Sequence, residues 1–469
     1  MDSRCQQYTS ENISNEMLNM IDYNENLHGK KVIENSCGEG HILKLVVERY
    51  ILDGKRNGHS NARIKHGLEN DIYGAEIVVE TYKICVKNLE QVANKYGIKN
   101  VKWKVDNKDV LKKPFDITFD YVVGNPPYIS YKNLEEKVRS FIKNNFETCE
   151  LGKPDYCYAF IENAINYLKD GGKMVYLIPN SIFKNVFAKK LREMIVGHLV
   201  EIFDYPNQKL FSNALTSSAV MVLHKNRNLH EFQYSDITKN ITYNINKSIL
   251  NDKWIFTEQN LSDNGEKVLF SDSFKASITI ATQRNKVFVV DSETKIRLNL
   301  ERGSLRNGIS PRNKSSNNKE YIIFPYMVRN NAALKFQEEE YKKKYPNTYQ
   351  YLVQNREELN KRQADESAQW FEYGRSQAIQ NMNRRKLLIS TVVTNKVNVY
   401  LIGPKEVPYS GIYIIAKANN NLDIARRILE SEDFFNYVIK IGTPASGKSV
   451  RITADDINKF KFLRRGFVS

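Results

Sequence analysis

The chain has 469 residues, 41% hydrophobic and 26% charged, which is enough apolar material for two or three domains and argues against wholesale disorder. Its 70 Lys+Arg against 54 Asp+Glu leave a formal charge of +16, which points to a polyanionic partner. No apolar run approaches the roughly 18 residues of a membrane span, the polar N-terminus lacks the apolar core of a signal peptide, and five cysteines without a CxxC pair argue against a zinc ribbon and for reduced thiols. The expectation is a cytoplasmic protein with no membrane partner and no metal.

Through the first half, short apolar runs alternate with helical patterns. Lys31–Glu34 reads as a strand, followed by the turn Glu34-Asn-Ser-Cys-Gly38-Glu-Gly40 and a helix through His41–Val47. Asp53–Asn70 reads as a polar insert, and Ile72–Glu76 as a second strand leading into a long helix from Val79 to about Tyr96. Val101–Val105 and Phe119–Val123 are further strands. A helix over Tyr156–Leu168 stops at Gly171-Gly172, where helices commonly end. Strand Lys173–Ile178, a helix near Val186–Val196, and strands Val200–Phe203 and Ser218–Leu223 follow. Strands alternating with helices predict an α/β protein with a doubly wound, mostly parallel sheet, its ligands bound at the carboxyl ends of the strands.

Charge divides the chain. Residues 1–235 hold 32 basic and 29 acidic side chains, a net +3, and residues 236–469 hold 38 and 25, a net +13. The expected domains are therefore 1–235 and 236–469. The join is not a flexible linker, because Ile241, Tyr243 and Ile245 alternate with polar residues as in a strand.

Three positions carry candidate chemistry. In the first turn an acid, Glu34, ends the strand, and Gly38 and Gly40 let a ligand approach the backbone at a helix N-terminus; an ordinary tight turn has the same composition. Glu76 ends the next strand, where it suits ribose hydroxyls or, equally, solvent. The third is Val122-Val-Gly-Asn125-Pro126-Pro127-Tyr128. Two prolines directly after an apolar strand stop it and hold the chain rigidly. An amide side chain beside a fixed carbonyl gives two acceptors aimed at one point, and the neighbouring tyrosine ring offers a stacking face for a planar base. Such a pair suits an exocyclic amino group, whose lone pair is freed as both N–H bonds are accepted. A surface turn is the other reading of this tetrapeptide.

With these motifs the sequence resembles the gamma-class type II DNA adenine-N6 methyltransferases, the Taq-type stand-alone modification methylases. The resemblance implies an S-adenosylmethionine-dependent methyltransferase fold joined to a second, α+β DNA-recognition domain. Tyr8-Thr9-Ser10 resembles the opening Tyr-Thr-Pro motif over the cofactor; Glu34, Ser36, Gly38 and Gly40 the S-adenosylmethionine turn; Glu76, with Ile77 beside it, the ribose-binding acid; and Asp109-Val110 the Asp-Phe-Leu step against the cofactor's adenine. Asn125, Pro126, Pro127 and Tyr128 are similar to the catalytic tetrapeptide, Asp155–Phe160 to the helix motif that follows it, and Leu168–Ile182 to the Leu-Lys-x-Gly-Gly strand. Phe211 resembles the second aromatic against a flipped adenine, although Phe203 and Phe183 lie nearby. Ser10, Asn35 and Val78 depart from the family's pattern without removing a group that the chemistry needs.

In the basic half, Phe324–Asn330, Trp370–Arg375, Lys386–Ile389, Gly411–Val438 and Lys448–Phe460 resemble parts of the family's target-recognition domain. Arg302, Arg306, Arg312, Lys314, Lys448 and Arg451 are the candidate DNA contacts, with Arg384, Arg385 and Lys386 a further basic cluster; each can neutralise phosphate or read guanine edges. The implied partners are double-stranded DNA and a cognate restriction endonuclease encoded separately. Methylation of RNA or of a protein glutamine is the alternative, as is a restriction-modification protein with a fused nuclease. The early cofactor turn and the basic C-terminal half favour the DNA reading.

Overall fold

The computed structural model describes residues 9–205, 217–250, 252–256, 267–316, 318–329, 332–375, 378–418, 420–445 and 447–463. They form two compact units, Met1–Asn260 and Leu261–Ser469.

The first unit is built on β1 (Val32–Glu34), β2 (Ile72–Glu76), β3 (Lys104–Asn107), β4 (Phe119–Gly124), β5 (Leu168–Pro179), β6 (Leu199–Tyr205), β7 (Ser218–His224), β8 (Glu231–Asp236) and β9 (Ile241–Asn246). They make one sheet in the order β3-β2-β1-β4-β5-β7-β6-β8-β9. The pairs from β3 to β5 are parallel, as is β6 with β8; β7 runs antiparallel to both its neighbours, and β9 to β8. Helices α1 (Glu11–Met20), α2 (His41–Arg56), α3 (Asn61–Asp71), α4 (Val79–Lys95), α5 (Glu136–Asn145), α6 (Cys157–Tyr167) and α7 (Lys189–Val196) accompany the sheet.

Strand side chains alternate between the two faces, so each central strand feeds two cores. Met174, Tyr176 and Ile178 of β5 join Ile33, Val122 and α6 in one core, while Val175 and Leu177 join Val32, Val123, α2 and α4 in the other. Burial on both faces explains why these strands read as continuous apolar runs.

The sequence reading fails where polar residues hide a structural role. The expected polar insert Asp53–Asn70 contains α3, capped by Ser60, whose Oγ accepts from the Arg63 N–H at 3.3 Å. Only Ile64, Gly67, Leu68 and Asp71 of this helix are buried, too few for a legible apolar stripe. The strand expected at Val101–Val105 begins at Lys104, and the helix expected at Val186–Val196 opens as a 3-10 turn over Val186–Ala188. The boundary expected at residue 235 moves to Asn260. β8 pairs with β6, and β9 pairs with β8 through Tyr234↔Tyr243. Trp254 then closes onto the same core, its N–H donating to Phe183 O at 2.8 Å and its ring stacked on Phe183 at 6.2 Å. Residues 236–260 hold three basic and three acidic side chains, so charge carries no sign of which unit they join.

The second unit is α+β. One antiparallel sheet contains Phe274–Ile278, Ile412–Ala416, Lys386–Ile389 and Tyr400–Ile402; a mixed sheet contains Val289–Asp291, Glu320–Ile323, Leu305–Ile309 and Glu406–Pro408. Short ribbons and helices, among them Pro346–Gln354, Leu422–Leu429 and Glu432–Ile441, complete it. Among the described residues no helix is long and apolar enough to cross a membrane.

Because Trp254 is 3% exposed and belongs to the first unit's core, Trp254→Ala should cost about 3–5 kcal/mol, the range for truncating a large buried aromatic. The denaturation midpoint of the first unit checks this, and a change below about 1 kcal/mol would show that Trp254 does not support that core.

Candidate active site

Parallel pairing aligns strand ends. Glu34 sits opposite Val123 on β4 and opposite Gly74 on β2, so the segments that leave β1, β2 and β4 emerge side by side. They enclose a cavity of about 270 Å³. Glu34, Ser36 and Gly38 line it from the first turn, Glu76 and Ile77 from the end of β2, and Asp109 and Val110 from the segment after β3. Asn125, Pro126, Pro127 and Tyr128 line it from the end of β4, and Thr9 from the segment before α1. Twelve residues drawn from five stretches of sequence thus meet at one site.

The turn is shaped by backbone needs. Gly38 and Gly40 have φ of +54° and +79°, the left-handed region that favours glycine. A Cβ on Gly40 would also lie 2.7 Å from Cys85 Sγ on α4, so this glycine, which does not line the cavity, sets how closely α2 and α4 pack. Cys37 and Cys85 lie 3.8 Å apart as free buried thiols.

Glu76 braces the turn. Its Oε2 accepts from the Gly38 N–H at 3.1 Å and its Oε1 from the Val78 N–H at 2.7 Å, which leaves lone pairs on both oxygens for a ligand. Burial raises its pKa, and these backbone donors oppose the rise. Glu34 is 3% exposed, and among the described residues neither its Oε2 nor Ser36 Oγ has a hydrogen-bond partner. Desolvation holds Glu34 well above the usual carboxylate range, with the fields of Cys85 and Glu76 acting in the same direction and a Leu43 backbone donor against it. A buried acid and a buried hydroxyl without partners fit a polar ligand that brings its own donors.

Asn125 is held by Thr9: its Nδ2 donates to Thr9 Oγ1 at 3.2 Å. The sequence reading gave Thr9 to the cofactor, and the structure adds this contact to the tetrapeptide. Tyr128 packs against both cores of the unit, and burial pushes its phenol well above the usual range. Asp109 Oδ1 accepts from the Leu111 N–H at 3.2 Å, and its carboxylate pairs with Lys112 at 3.1 Å. Tyr8 and Phe211 lie outside the described residues. The sequence reading missed Tyr156 and Phe160, which also line the cavity; the signal was present, since both fall in the Asp155–Phe160 motif.

The candidate DNA contacts lie in the second unit, and only Arg306 and Arg451 are on strands, of two different sheets. Arg302 lies in a 3-10 turn, Arg306 on the strand Leu305–Ile309 with its guanidinium 5.4 Å from the Phe324 ring centroid, and Arg312 and Lys314 on the helix Pro311–Ser316. Lys314 pairs with Glu406 at 2.9 Å. Arg451 lies on a short strand paired with Val392, and Lys448 in the turn before it. Lys386 departs from the expected basic surface cluster: it is fully buried, donates to Met382 O at 2.8 Å, and desolvation lowers its pKa to about 8.

The sheet order with its reversed β7, and a cavity at the carboxyl ends of β1, β2 and β4, define the α/β methyltransferase fold. The Eco57I restriction-modification methylase family matches residues 45–211. The type II methyltransferase M.BstVI of Geobacillus stearothermophilus is 22% identical over 97% of this chain and 89% of its own length. The type II restriction enzyme and methyltransferase RM.Eco57I of Escherichia coli is 24% identical over 62% of this chain, which spans about a third (34%) of that protein. Among solved structures, the type IIL restriction-modification enzyme MmeI in complex with DNA aligns with a TM-score of 0.60 at 14% identity, covering 96% of this chain and 64% of that one.

Glu34 gives a stability prediction with a definite sign. Its pKa is raised in the folded protein, so near pH 4 both states are protonated and it costs nothing. As pH rises through the ordinary glutamate range and up to the raised value, the unfolded state loses its proton first and the folded state is penalised. Glu34→Gln removes that penalty, so the variant should melt above the parent at pH 8, with the gap closing toward pH 4. A gap that shrinks with rising pH would mean that the carboxylate is stabilised in its place.

Proposed function

We propose that this chain is a site-specific DNA methyltransferase that transfers a methyl group from S-adenosylmethionine to N6 of an adenine flipped out of the duplex. The observation that carries this reading is that the Asn125-Pro126-Pro127-Tyr128 segment and Glu34–Glu39 of the first turn line one cavity. Catalytic and cofactor-binding groups must meet at a single point for direct transfer.

The cavity fits S-adenosylmethionine in its donors and acceptors. Among the described residues Glu34 Oε2 and Ser36 Oγ lack partners, Glu76 presents acceptors where ribose hydroxyls can donate, and the Tyr156 and Phe160 rings offer apolar walls. Bound there, the cofactor supplies a methyl group on an electron-poor sulfonium. Asn125, oriented by Thr9, accepts one N6–H bond through its amide oxygen, and the Pro126 carbonyl accepts the other. Accepting both frees the nitrogen lone pair toward the methyl group that S-adenosylmethionine would supply, and the N6 proton displaced by methylation would pass to solvent. Fixing the amino group in line for attack supplies much of the rate gain. Stacking on Tyr128 offsets part of the few kcal/mol spent on flipping the base.

The second unit, with 35 basic and 22 acidic side chains over residues 261–469, is the DNA-recognition domain. Arg302, Arg306, Arg312, Lys448 and Arg451 are its candidate phosphate and base contacts, and Lys314 is partly neutralised by Glu406. The partner is double-stranded DNA, and a separately encoded cognate endonuclease would cut the same sites where they are unmethylated.

Asn125→Ala should lower the single-turnover rate of methyl transfer by on the order of 100-fold, the scale for removing one preorganised hydrogen-bonding group. Calorimetry should show that S-adenosylmethionine binding is largely retained, and near-parental turnover would reject the mechanism. Nucleoside analysis of plasmid DNA treated with the full chain should show N6-methyladenine; N4-methylcytosine as the only product would overturn the assignment to adenine.

A further inference from the structure

One buried side chain that does not line the cavity bonds to the turn after β1 and packs against Gly124, the residue directly before the tetrapeptide. Tyr176 lies on β5, fully buried, in register with Gly124 on β4, the residue directly before Asn125. Its ring packs under Gly124: a Cβ placed there would lie 3.2 Å from Tyr176 Cε1 and 3.4 Å from Cζ. Gly124 has no positive φ, so what a side chain here would press against is the ring, which would have to give by a few tenths of an ångström.

The other end of Tyr176 reaches the cofactor turn. Its hydroxyl donates to Asn35 Oδ1, and Asn35, 1% exposed, sits between Glu34 and Ser36. Asn35 Nδ2 in turn donates to Asn163 Oδ1 at 2.9 Å and to Phe160 O at 3.2 Å. Both amide ends of Asn35 are therefore committed inside the core, and burial keeps the Tyr176 phenol protonated as a donor. Such a buried polar network has few alternative arrangements, since any shift leaves a group without a partner.

We propose that Tyr176 is a positioning residue that couples the two halves of the active site: its ring sets the height of Gly124–Asn125, and its hydroxyl fixes the turn at Asn35. A disturbance under the tetrapeptide is transmitted to the cofactor site through this single phenol. The inference rests on the proposed methyltransferase function.

The test measures S-adenosylmethionine binding by calorimetry on the full chain and its Tyr176→Phe, Gly124→Ala and doubly substituted variants, with circular dichroism confirming the fold. Tyr176→Phe keeps the ring and cuts the link to Asn35; Gly124→Ala pushes the ring from the opposite side. Each should weaken cofactor binding about tenfold, although neither residue lines the cavity, and the double variant should bind no more weakly than the worse single one. Single-turnover transfer to unmethylated plasmid DNA at saturating cofactor should fall in the same pattern. A side chain that serves stability alone would lower the melting temperature without this non-additive binding pattern. If the double variant does not fold, Tyr176→Phe decides alone, and cofactor binding equal to the parent's overturns the coupling. Gly124→Ala binding like the parent, or effects that multiply, would overturn the coupling while leaving the methyltransferase reading intact. A parent chain that binds no S-adenosylmethionine would reject that reading and the coupling with it.

Discussion

The parallel pairing of β1 with β4 is the constraint on which the rest of the site depends. Their register sets Glu34 against Val123, so the turn after one strand and the tetrapeptide after the other must leave the sheet together. Neither segment has a regular hydrogen-bond ladder of its own beyond this point. What fixes them is the sheet below, with Val32, Ile33, Val122 and Val123 fully buried on its two faces. At the neighbouring strand, the Glu76 carboxylate ties the end of β2 to the same turn through Gly38.

This geometry is costly for the folded chain. Glu34 is buried with an oxygen that lacks a partner among the described residues, and Ser36 Oγ is in the same state. Groups of this kind destabilise a fold unless something offsets them. Here the two cores on either side of the sheet supply the compensation. A ligand that satisfies those groups therefore stabilises the protein as it binds.

The second unit follows a different logic. Its charge is what distinguishes it, yet individual basic side chains are spent in different ways: Lys314 in an ion pair, Arg306 against an aromatic face, and Lys386 inside the core. Net charge describes the field that draws a polyanion toward a domain and does not say which residues touch it.

By itself the sequence determined the alternation of strands and helices, and hence the parallel sheet. It also marked Glu34, Gly38, Glu76 and Asn125–Tyr128 as candidate positions, and these line one cavity, because burial on two faces, backbone freedom and paired prolines each leave a local residue signature. The hidden helix α3, the pairing of β9 with β8 and the burial of Lys386 were decided by tertiary structure, since polar composition looks the same whether one side of a segment is covered or none is. Thr9 against Asn125 and Asn35 against Tyr176 are separated by 116 and 141 positions in the chain. No periodicity or spacing encodes such pairs; only the packing of strands from distant parts of the sequence brings their polar atoms within hydrogen-bonding distance.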